Sequence, residues 1–265
     1  MTERGVAAEV KFVGGFSSSA VTDAGAVRDH NEDSYISCPD IGLWAVADGV
    51  GGHYAGDVAS RTATEALRTV PAGLNATHLI TEVRMRLAMV HRQLKEEAAQ
   101  RGVDAMASTI VVLLARGSYF ACLWAGDSRV YLLRDGKITQ LTRDHSLVQE
   151  LVDAKTITED EATTHPRSNV ITRAVGGGDA ELALDKYSAQ LCAGDRFLLC
   201  SDGLWKTLAP EELARVLLTA DGKPSAERLL EAALERRADD NVTIITVEVS
   251  PEFVPSGDHG DESAL

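Results

Sequence analysis

Residues 43–49 read LWAVADG, an apolar run that ends on an acidic residue followed by a glycine. Two further apolar runs lead into acids, at Asp127 and Asp202, and a fourth run begins directly after Asp240 and Asn241. Short runs rich in β-branched and aromatic residues predict buried strands. We therefore expect four acids, beginning with Asp48, at strand ends where a sheet meets solvent.

Acidic side chains gathered at one sheet edge predict a cation site, because carboxylates repel each other unless a cation lies between them. Ligands that are all oxygen, without Cys or His, favour Mg²⁺ or Mn²⁺ over Zn²⁺. Taken singly, each acid could equally cap a turn, as Asp-Gly and Asp-Asn pairs commonly do. The choice between these readings depends on the other motifs of the chain.

Composition places the chain among ordinary globular proteins, with 265 residues, 45% hydrophobic and 25% charged. A net charge of −14 argues against a general affinity for nucleic acid or anionic membrane, since both need clustered Lys and Arg. No apolar stretch reaches the roughly 18 residues of a membrane span, and charges occupy the N-terminus where a signal peptide would be apolar. We expect a cytoplasmic protein.

The four cysteines are widely spaced and form no Cys-x-x-Cys pair; they are Cys38, Cys122, Cys192 and Cys200. Two of them lie inside apolar runs. Free thiols in a reducing compartment are the simplest interpretation of this pattern.

Strands and helices come in blocks along the sequence. The pattern predicts strands over 17–22, 34–37, 43–47, 108–114, 118–125, 129–134, 137–141, 181–190, 196–200 and 242–249. It predicts helices over 55–70, 75–101, 146–154, 159–165, 211–220 and 225–237. Blocks of this kind favour an α+β fold, an α/β/β/α sandwich of two mainly antiparallel sheets flanked by helix pairs. The strands from 108 to 141 are expected to form one consecutive meander, with a hairpin at Asp135-Gly136.

Two segments stand apart from this pattern. Residues 144–178, called the flap here, are more polar, hold two short helical patterns and end in three glycines, so we expect a mobile insertion. From residue 251 onward the chain is rich in Pro, Gly, Ser and acids, which predicts a disordered acidic tail over 251–265. A single catalytic domain is expected over 1–250.

Six motifs follow one another in the sequence: RxxNED from Arg28, DGxGGH from Asp48, GDSR from Gly126, TxDHS from Thr142, SDGL from Ser201 and DNVT from Asp240. In this order they resemble the metal-dependent Ser/Thr protein phosphatases, the type 2C or PPM family, in its bacterial form. The resemblance extends over residues 17–249. It implies hydrolysis of phosphoserine and phosphothreonine in proteins by a water that bridges two Mn²⁺ or Mg²⁺ ions, with a third ion at a looser site.

The resemblance also implies a set of metal ligands. Asp48 would bridge the two main ions, Asp202 and Asp240 would complete the shell of the first, and Glu32 with the Gly49 carbonyl would serve the second. Asp127, together with Asp202, would hold the third ion.

Other positions of the motifs concern the substrate and the surroundings of the metals. Arg28 would bind the substrate phosphate and act in catalysis with Asp48. Asp33, Asn241 and His53 are candidates for residues that contact and position the metal ligands without binding the metal. Val50 stands where the wider family has a His proposed as general acid, so that role has no assigned residue.

The partners implied are phosphorylated proteins and a cognate Ser/Thr kinase pathway, and a monomer is expected. The contexts of Trp44 and Trp205 resemble members that oppose a kinase controlling a type VI secretion apparatus. Two alternatives stay open: a non-catalytic phosphoprotein-binding module that kept the fold, and a metal-dependent hydrolase of a small phosphate.

Overall fold

The computed structural model describes residues 11–13, 15–50, 55–178 and 180–254. Two predictions fall outside these residues in whole or in part. His53 lies outside them, and so do residues 255–265 of the predicted tail.

The described strands form two sheets in which every pairing is antiparallel. The first sheet has the order β1 (Lys11–Val13), β2 (Phe16–Asp23), β12 (Val242–Val249), β11 (Arg196–Cys200), β8 (Arg129–Arg134) and β9 (Lys137–Gln140). The second has the order β10 (Asp185–Gln190), β7 (Tyr119–Ala125), β6 (Ile110–Arg116), β4 (Leu43–Val50) and β3 (Asp33–Cys38), with β5 (Ala107–Ser108) paired to β4.

The two sheets pack face to face and carry helices on their outer faces. Between the sheets lie large buried side chains that include Trp44, Phe120 and Phe197. Helices α1 (Ala55–Arg68) and α2 (Ala76–Arg101) cover the second sheet, while α6 (Pro210–Leu218) and α7 (Ser225–Glu235) cover the first. The predicted α/β/β/α sandwich is confirmed, because each helix pair buries the one apolar stripe that its sequence provides.

Helix α2 shows how local sequence sets an element. The Asn75 side chain accepts a hydrogen bond from the His78 N–H at its start, and Gly102, at φ 67°, ends it by donating to the Ala98 and Ala99 carbonyls. Both ends lie within a residue of the prediction, since an Asn N-cap is a strong start signal for a helix and a left-handed Gly is a strong stop signal.

The predicted four-strand meander is wrong. β6 and β7 form a hairpin in the second sheet, whereas β8 and β9 form a hairpin in the first, so the chain crosses between sheets at residues 126–128. Gly126 makes this crossing at φ 113°, and a Cβ there would lie 2.6 Å from the Thr109 side chain. Only glycine permits both this φ and this close approach.

Smaller differences concern single elements. A short helix, α5 (Asp202–Trp205), was not predicted, and the strand expected from residue 181 begins at Asp185. A 3₁₀ turn, Pro39–Ile41, links β3 to β4. All four cysteines are free, and burial raises the thiol pKa of Cys122 and Cys200.

The flap connects β9 of the first sheet to β10 of the second. Its helices, α3 (Leu147–Asp153) and α4 (Glu159–Thr163), fully bury none of their residues. The base is fixed by backbone hydrogen bonds from the Leu147 N–H to the Val170 carbonyl and from the Thr172 N–H to the His145 carbonyl. The expected mobility of the flap stays a prediction.

The described chain keeps contact with the core beyond residue 250. The Phe253 ring lies 6.0 Å from the Phe16 ring, centroid to centroid, so the tail predicted from residue 251 is packed at its start. Within the described residues, no helix combines the length and apolar character that a membrane crossing requires.

Candidate metal and phosphate site

The acids singled out in the sequence come together at one end of the sandwich, and both sheets contribute to them. Asp48 lies near the end of β4, directly opposite Asp33 on β3. Asp127 lies in the crossing between the sheets. Asp202 follows β11, and Asp240 precedes β12 by two residues.

The ionisation of Asp48 is affected by its burial and by the neighbouring carboxylates. Burial raises the pKa of Asp48 well above its usual range, and the charges of Asp33, Asp202, Asp127 and Asp240 raise it further. Mutual repulsion of this kind disfavours the ionised form of each group. The cluster therefore favours either protonation of a carboxylate or a bound cation that offsets the repulsion.

Two of these carboxylates have an oxygen without a partner. Asp127 is 2% exposed and Asp33 is 8% exposed, and in each the Oδ1 atom makes no hydrogen bond. Burial is the largest cause that raises the pKa of each to about 7. Buried polar atoms are nearly always satisfied in native proteins, so such exceptions point to a bound group.

The Asp48 backbone is held from the neighbouring strands. Its N–H donates to the Thr109 hydroxyl at 3.1 Å, and its carbonyl accepts from the Thr109 N–H at 2.8 Å and the Ser108 hydroxyl at 2.9 Å. The Thr109 hydroxyl also lies 2.8 Å from the Ser128 hydroxyl. Thr109 thus ties the strand that carries Asp48 to the crossing that carries Asp127.

Glu32 and Gly49 lie side by side on the same end. The Gly49 N–H donates to the Glu32 carbonyl at 3.2 Å, and a Cβ at Gly49 would lie 2.3 Å from the Gly56 backbone. The β4 end and the α1 start are therefore in backbone contact, which leaves no room for a side chain at Gly49.

Asn241 holds the loop that carries Glu32. Its Oδ1 accepts from the Glu32 N–H at 2.9 Å, while its Nδ2 donates to the Ala24 carbonyl at 3.0 Å and the His30 carbonyl at 2.9 Å. Asp33 is fixed in turn by the Ser201 hydroxyl, which donates to its Oδ2 at 2.7 Å. Asn241 and Asp33, two of the three candidates for a supporting role, thus contact the elements that carry the acids.

Arg28 lies at the open side of the cluster. Its Nη2 donates to Asp240 Oδ2 at 2.8 Å, and the side chain is 55% exposed. It lines a cavity of about 680 Å³ between the flap and the sandwich, together with Asp127, Asp240 and Lys206. A guanidinium at the mouth of an acidic cluster can bind a phosphate with two parallel hydrogen bonds.

Three residues of the site were missed from the sequence. Lys206 Nζ donates to Asp202 Oδ2 at 2.6 Å and to Asn169 Oδ1 of the flap at 2.8 Å. Burial acts to lower the pKa of Lys206, but the charges of Asp202, Asp127 and Asp48 outweigh it and raise the pKa. The i,i+4 spacing of Asp202 and Lys206 was a signal for this pair.

Trp205 and Arg129 fix the crossing from the other side. The Trp205 indole donates to the Asp127 carbonyl at 3.0 Å, and the Arg129 guanidinium lies 3.4 Å above its ring. Asp144, at the start of the flap, accepts from Arg129 Nη2 at 2.7 Å. No local sequence pattern predicts this stack, because its members are distant in sequence.

His145 lies behind the acids and packs within the fold. Its Nδ1 accepts from the Gly126 N–H at 3.2 Å, its Nε2 lies 3.2 Å from an Asp185 oxygen, and burial lowers its pKa. These contacts give His145 a structural role at the base of the flap.

The acids fit a hard divalent cation in their chemistry. Among the residues described, no three His, Cys, Asp or Glu side chains already converge closely enough to enclose a metal ion. Two of the carboxylates instead pair with cationic side chains, Asp202 with Lys206 and Asp240 with Arg28. Buried all-oxygen ligands, an unpartnered Asp127 oxygen and mutual repulsion nevertheless match what Mn²⁺ or Mg²⁺ requires.

Comparison with known proteins shows the family of this chain. A family model described as protein phosphatase 2C matches residues 24–241. The serine/threonine protein phosphatase PstP of Mycobacterium tuberculosis is 40% identical over 87% of this chain. The chain spans 44% of the length of that relative.

Solved structures give the same result. PppA, described as a key regulatory component of the type VI secretion system in Pseudomonas aeruginosa, matches with a TM-score of 0.81 and 44% identity, over 88% of this chain and 96% of that one. The catalytic domain of PstP in complex with two manganese ions matches with a TM-score of 0.75 and 37% identity, over 89% and 98% of the two chains. The chain belongs to the protein phosphatase 2C family.

Proposed function

We propose that this chain hydrolyses phosphoserine and phosphothreonine in proteins, using two Mn²⁺ or Mg²⁺ ions and no covalent intermediate. The observation that carries the proposal is the convergence of buried carboxylates from both sheets beside the exposed guanidinium of Arg28. The activity of the relatives, which are serine/threonine protein phosphatases, and the two manganese ions of the PstP catalytic domain support it.

Each residue has a part in this proposal. Asp48 would serve both ions, Asp202 and Asp240 would hold the first with it, and Glu32 with the Gly49 carbonyl would hold the second. When bound, the two cations supply a water acidified enough to attack phosphorus and neutralise charge on the phosphoryl oxygens.

Arg28 binds and orients the phosphate. Its guanidinium already contacts a carboxylate oxygen of Asp240, and a phosphate presents oxygens of similar spacing and greater charge. As the substrate phosphate enters, it therefore replaces Asp240 as the hydrogen-bond acceptor of Arg28. This places the phosphorus beside the acidic cluster. Val50 follows Asp48-Gly49 and has no proton to donate, so the leaving alkoxide receives its proton from another group.

The physiological partners belong to the same proposal. We infer that the substrates are phosphoproteins of a bacterial Ser/Thr kinase pathway. The chain acts on them as a monomer in the cytoplasm. The likeness to PppA supports a branch that serves a type VI secretion system. The four free thiols support a reducing compartment.

Phosphate release from a phosphothreonine peptide tests the proposal, with and without Mn²⁺, for the wild type, Asp202→Ala and the control Glu235→Ala. Glu235 is an exposed acid at the end of α7. Turnover that needs Mn²⁺, is lost in Asp202→Ala and is kept in Glu235→Ala is expected. Bound Mn²⁺ without turnover would instead favour a phosphoprotein-binding module, and turnover of a small aryl phosphate alone would favour a small-phosphate hydrolase.

A further inference from the structure

Lys206 places a fixed positive charge inside the acidic cluster. Its ammonium lies 2.6 Å from Asp202 Oδ2, and both side chains are largely buried, at 29% and 14% exposed. An ammonium so close to a partly buried carboxylate is a compact point charge that competes directly with any other cation for that oxygen.

Asp127 lines the same cavity as Lys206. Its side chain is almost fully buried with Oδ1 unpartnered, and the charges of Asp202 and Lys206 act on it in opposite directions. Of the two carboxylates, only Asp202 accepts a hydrogen bond from the ammonium, and Asp127 Oδ1 is left without a partner. A divalent ion between Asp127 and Asp202 would satisfy both.

The same ammonium also reaches the flap. Lys206 Nζ donates to Asn169 Oδ1 at 2.8 Å, and Asn169 lies in the turns between α4 and β10. The neighbouring Val170 donates to the Arg167 carbonyl and accepts from the Leu147 N–H at the start of α3. Lys206 therefore links Asp202 of the cluster to the part of the flap between α4 and β10.

We propose that Lys206 is the resident cation of the Asp127/Asp202 pair, that it holds the flap against the site through Asn169, and that a divalent ion bound at this pair displaces it and releases the flap. The inference rests on the proposed function, in which Asp202 holds a divalent ion, and adds a competing cation from the chain itself.

The displacement follows from repulsion between two cations, the Lys206 ammonium and a divalent ion, that would share the carboxylates of Asp127 and Asp202. An ammonium in contact with Asp202 Oδ2 would lie within a few ångströms of an ion held by the same carboxylate, where repulsion is strong. Lys206 must then leave, and Asn169 loses its donor. Such coupling is reciprocal: if ion binding favours release of the flap by some factor, release of the flap raises the affinity for the ion by the same factor.

Two measurements test the inference: Mn²⁺ titration followed by the electron paramagnetic resonance of free Mn²⁺, and hydrogen exchange at residues 165–171. The variants are Lys206→Met, which removes the charge and keeps the length, and Asn169→Ala, which removes only the flap contact. Lys137→Met, at an exposed position of β9, controls for the loss of one positive charge. Melting temperatures show that each variant is folded.

In Lys206→Met we expect the weakest Mn²⁺ site to tighten at least about tenfold, since a full positive charge is removed from its ligands. Asn169→Ala should tighten the same site by a smaller factor, and Lys137→Met should leave it unchanged. Without metal, both Lys206→Met and Asn169→Ala should exchange faster at 165–171, and saturating Mn²⁺ should bring the wild type to the same rate.

Failure of the inference and failure of the proposed function give different results. If the wild type binds two ions and catalyses, while Lys206→Met changes neither the weakest site nor the exchange at 165–171, the inference is overturned and the function survives. If the wild type binds no Mn²⁺ at all, the metal assignment and the inference fall together.

Discussion

Strand β11 has one buried acid, Asp195, just before its start and the acidic cluster just beyond its end. The two ends differ in whether the carboxylate oxygens have hydrogen-bond partners. Asp195, 1% exposed, accepts from Arg134 Nε and Nη2, both at 2.6 Å, and from the Cys192 N–H at 2.8 Å. At the other end Asp127, 2% exposed, has an oxygen with no partner. Burial alone therefore does not mark a functional acid, whereas burial without partners does.

Asp48→Asn should give the largest effect, because it removes the carboxylate charge at the centre of the unsatisfied end without changing the size of the side chain. We expect phosphate release to fall at least about 10³-fold and Mn²⁺ affinity to drop, since the bridging carboxylate is lost. The fold should be intact by circular dichroism. Retained turnover would mean that the acids at this end are as structural as Asp195.

Asp195→Ala should act on stability instead of chemistry. Its removal leaves the Arg134 guanidinium and the Cys192 N–H without their acceptor, at a cost of about 2 kcal/mol, reduced from the fully buried case because Arg134 is one-third exposed. Urea unfolding measures this loss. The rate of metal-saturated phosphate release should stay within about twofold of the wild type, because Asp195 touches nothing at the site. A collapse of turnover in folded protein would break the contrast between the two ends.

Asp127→Asn should stabilise the metal-free protein, and by an amount that depends on pH. The folded-state pKa of Asp127 is raised to about 7, above its value in the unfolded chain, so its ionisation costs stability as pH rises from about 4 through 7. Relative to the wild type, the variant should be indistinguishable at pH 4 and more stable by about 1 to 2 kcal/mol at pH 8.

Paired urea titrations of the two proteins in chelator at pH 4 and pH 8 measure this difference. An equal difference at both pH values would show that the Asp127 carboxylate is already satisfied in the metal-free protein. Excess Mn²⁺ at pH 8 should reverse the sign, since the wild type then gains binding energy that the variant lacks.

The sequence predicted the elements better than their assembly. Helix α2 was placed to within a residue because Asn75 and Gly102 act locally. The meander failed because an apolar run shows that a strand is buried and not which sheet it joins. The crossing at Gly126 depends on its contact with Thr109, which lies in another strand and leaves no local signal.

The site shows the same division. The acids and Arg28 could be found because each belongs to a short motif whose order is informative. Lys206, Arg129 and Trp205 were missed because their roles arise where the flap meets the sandwich, and only the spacing of Asp202 and Lys206 gave any local indication. What local sequence cannot specify here is the contact between segments far apart in the chain.

The contribution of both sheets to one acidic cluster has a consequence for how long the protein lasts. Asp48 belongs to the second sheet, while Asp202 and Asp240 adjoin strands of the first, so an ion that binds all three fastens the two layers of the sandwich together. Unfolding must then release that ion, and metal supply sets resistance to proteolysis along with catalytic rate. Under the proposed function, a cell short of the divalent metal would lose the protein itself as well as its activity.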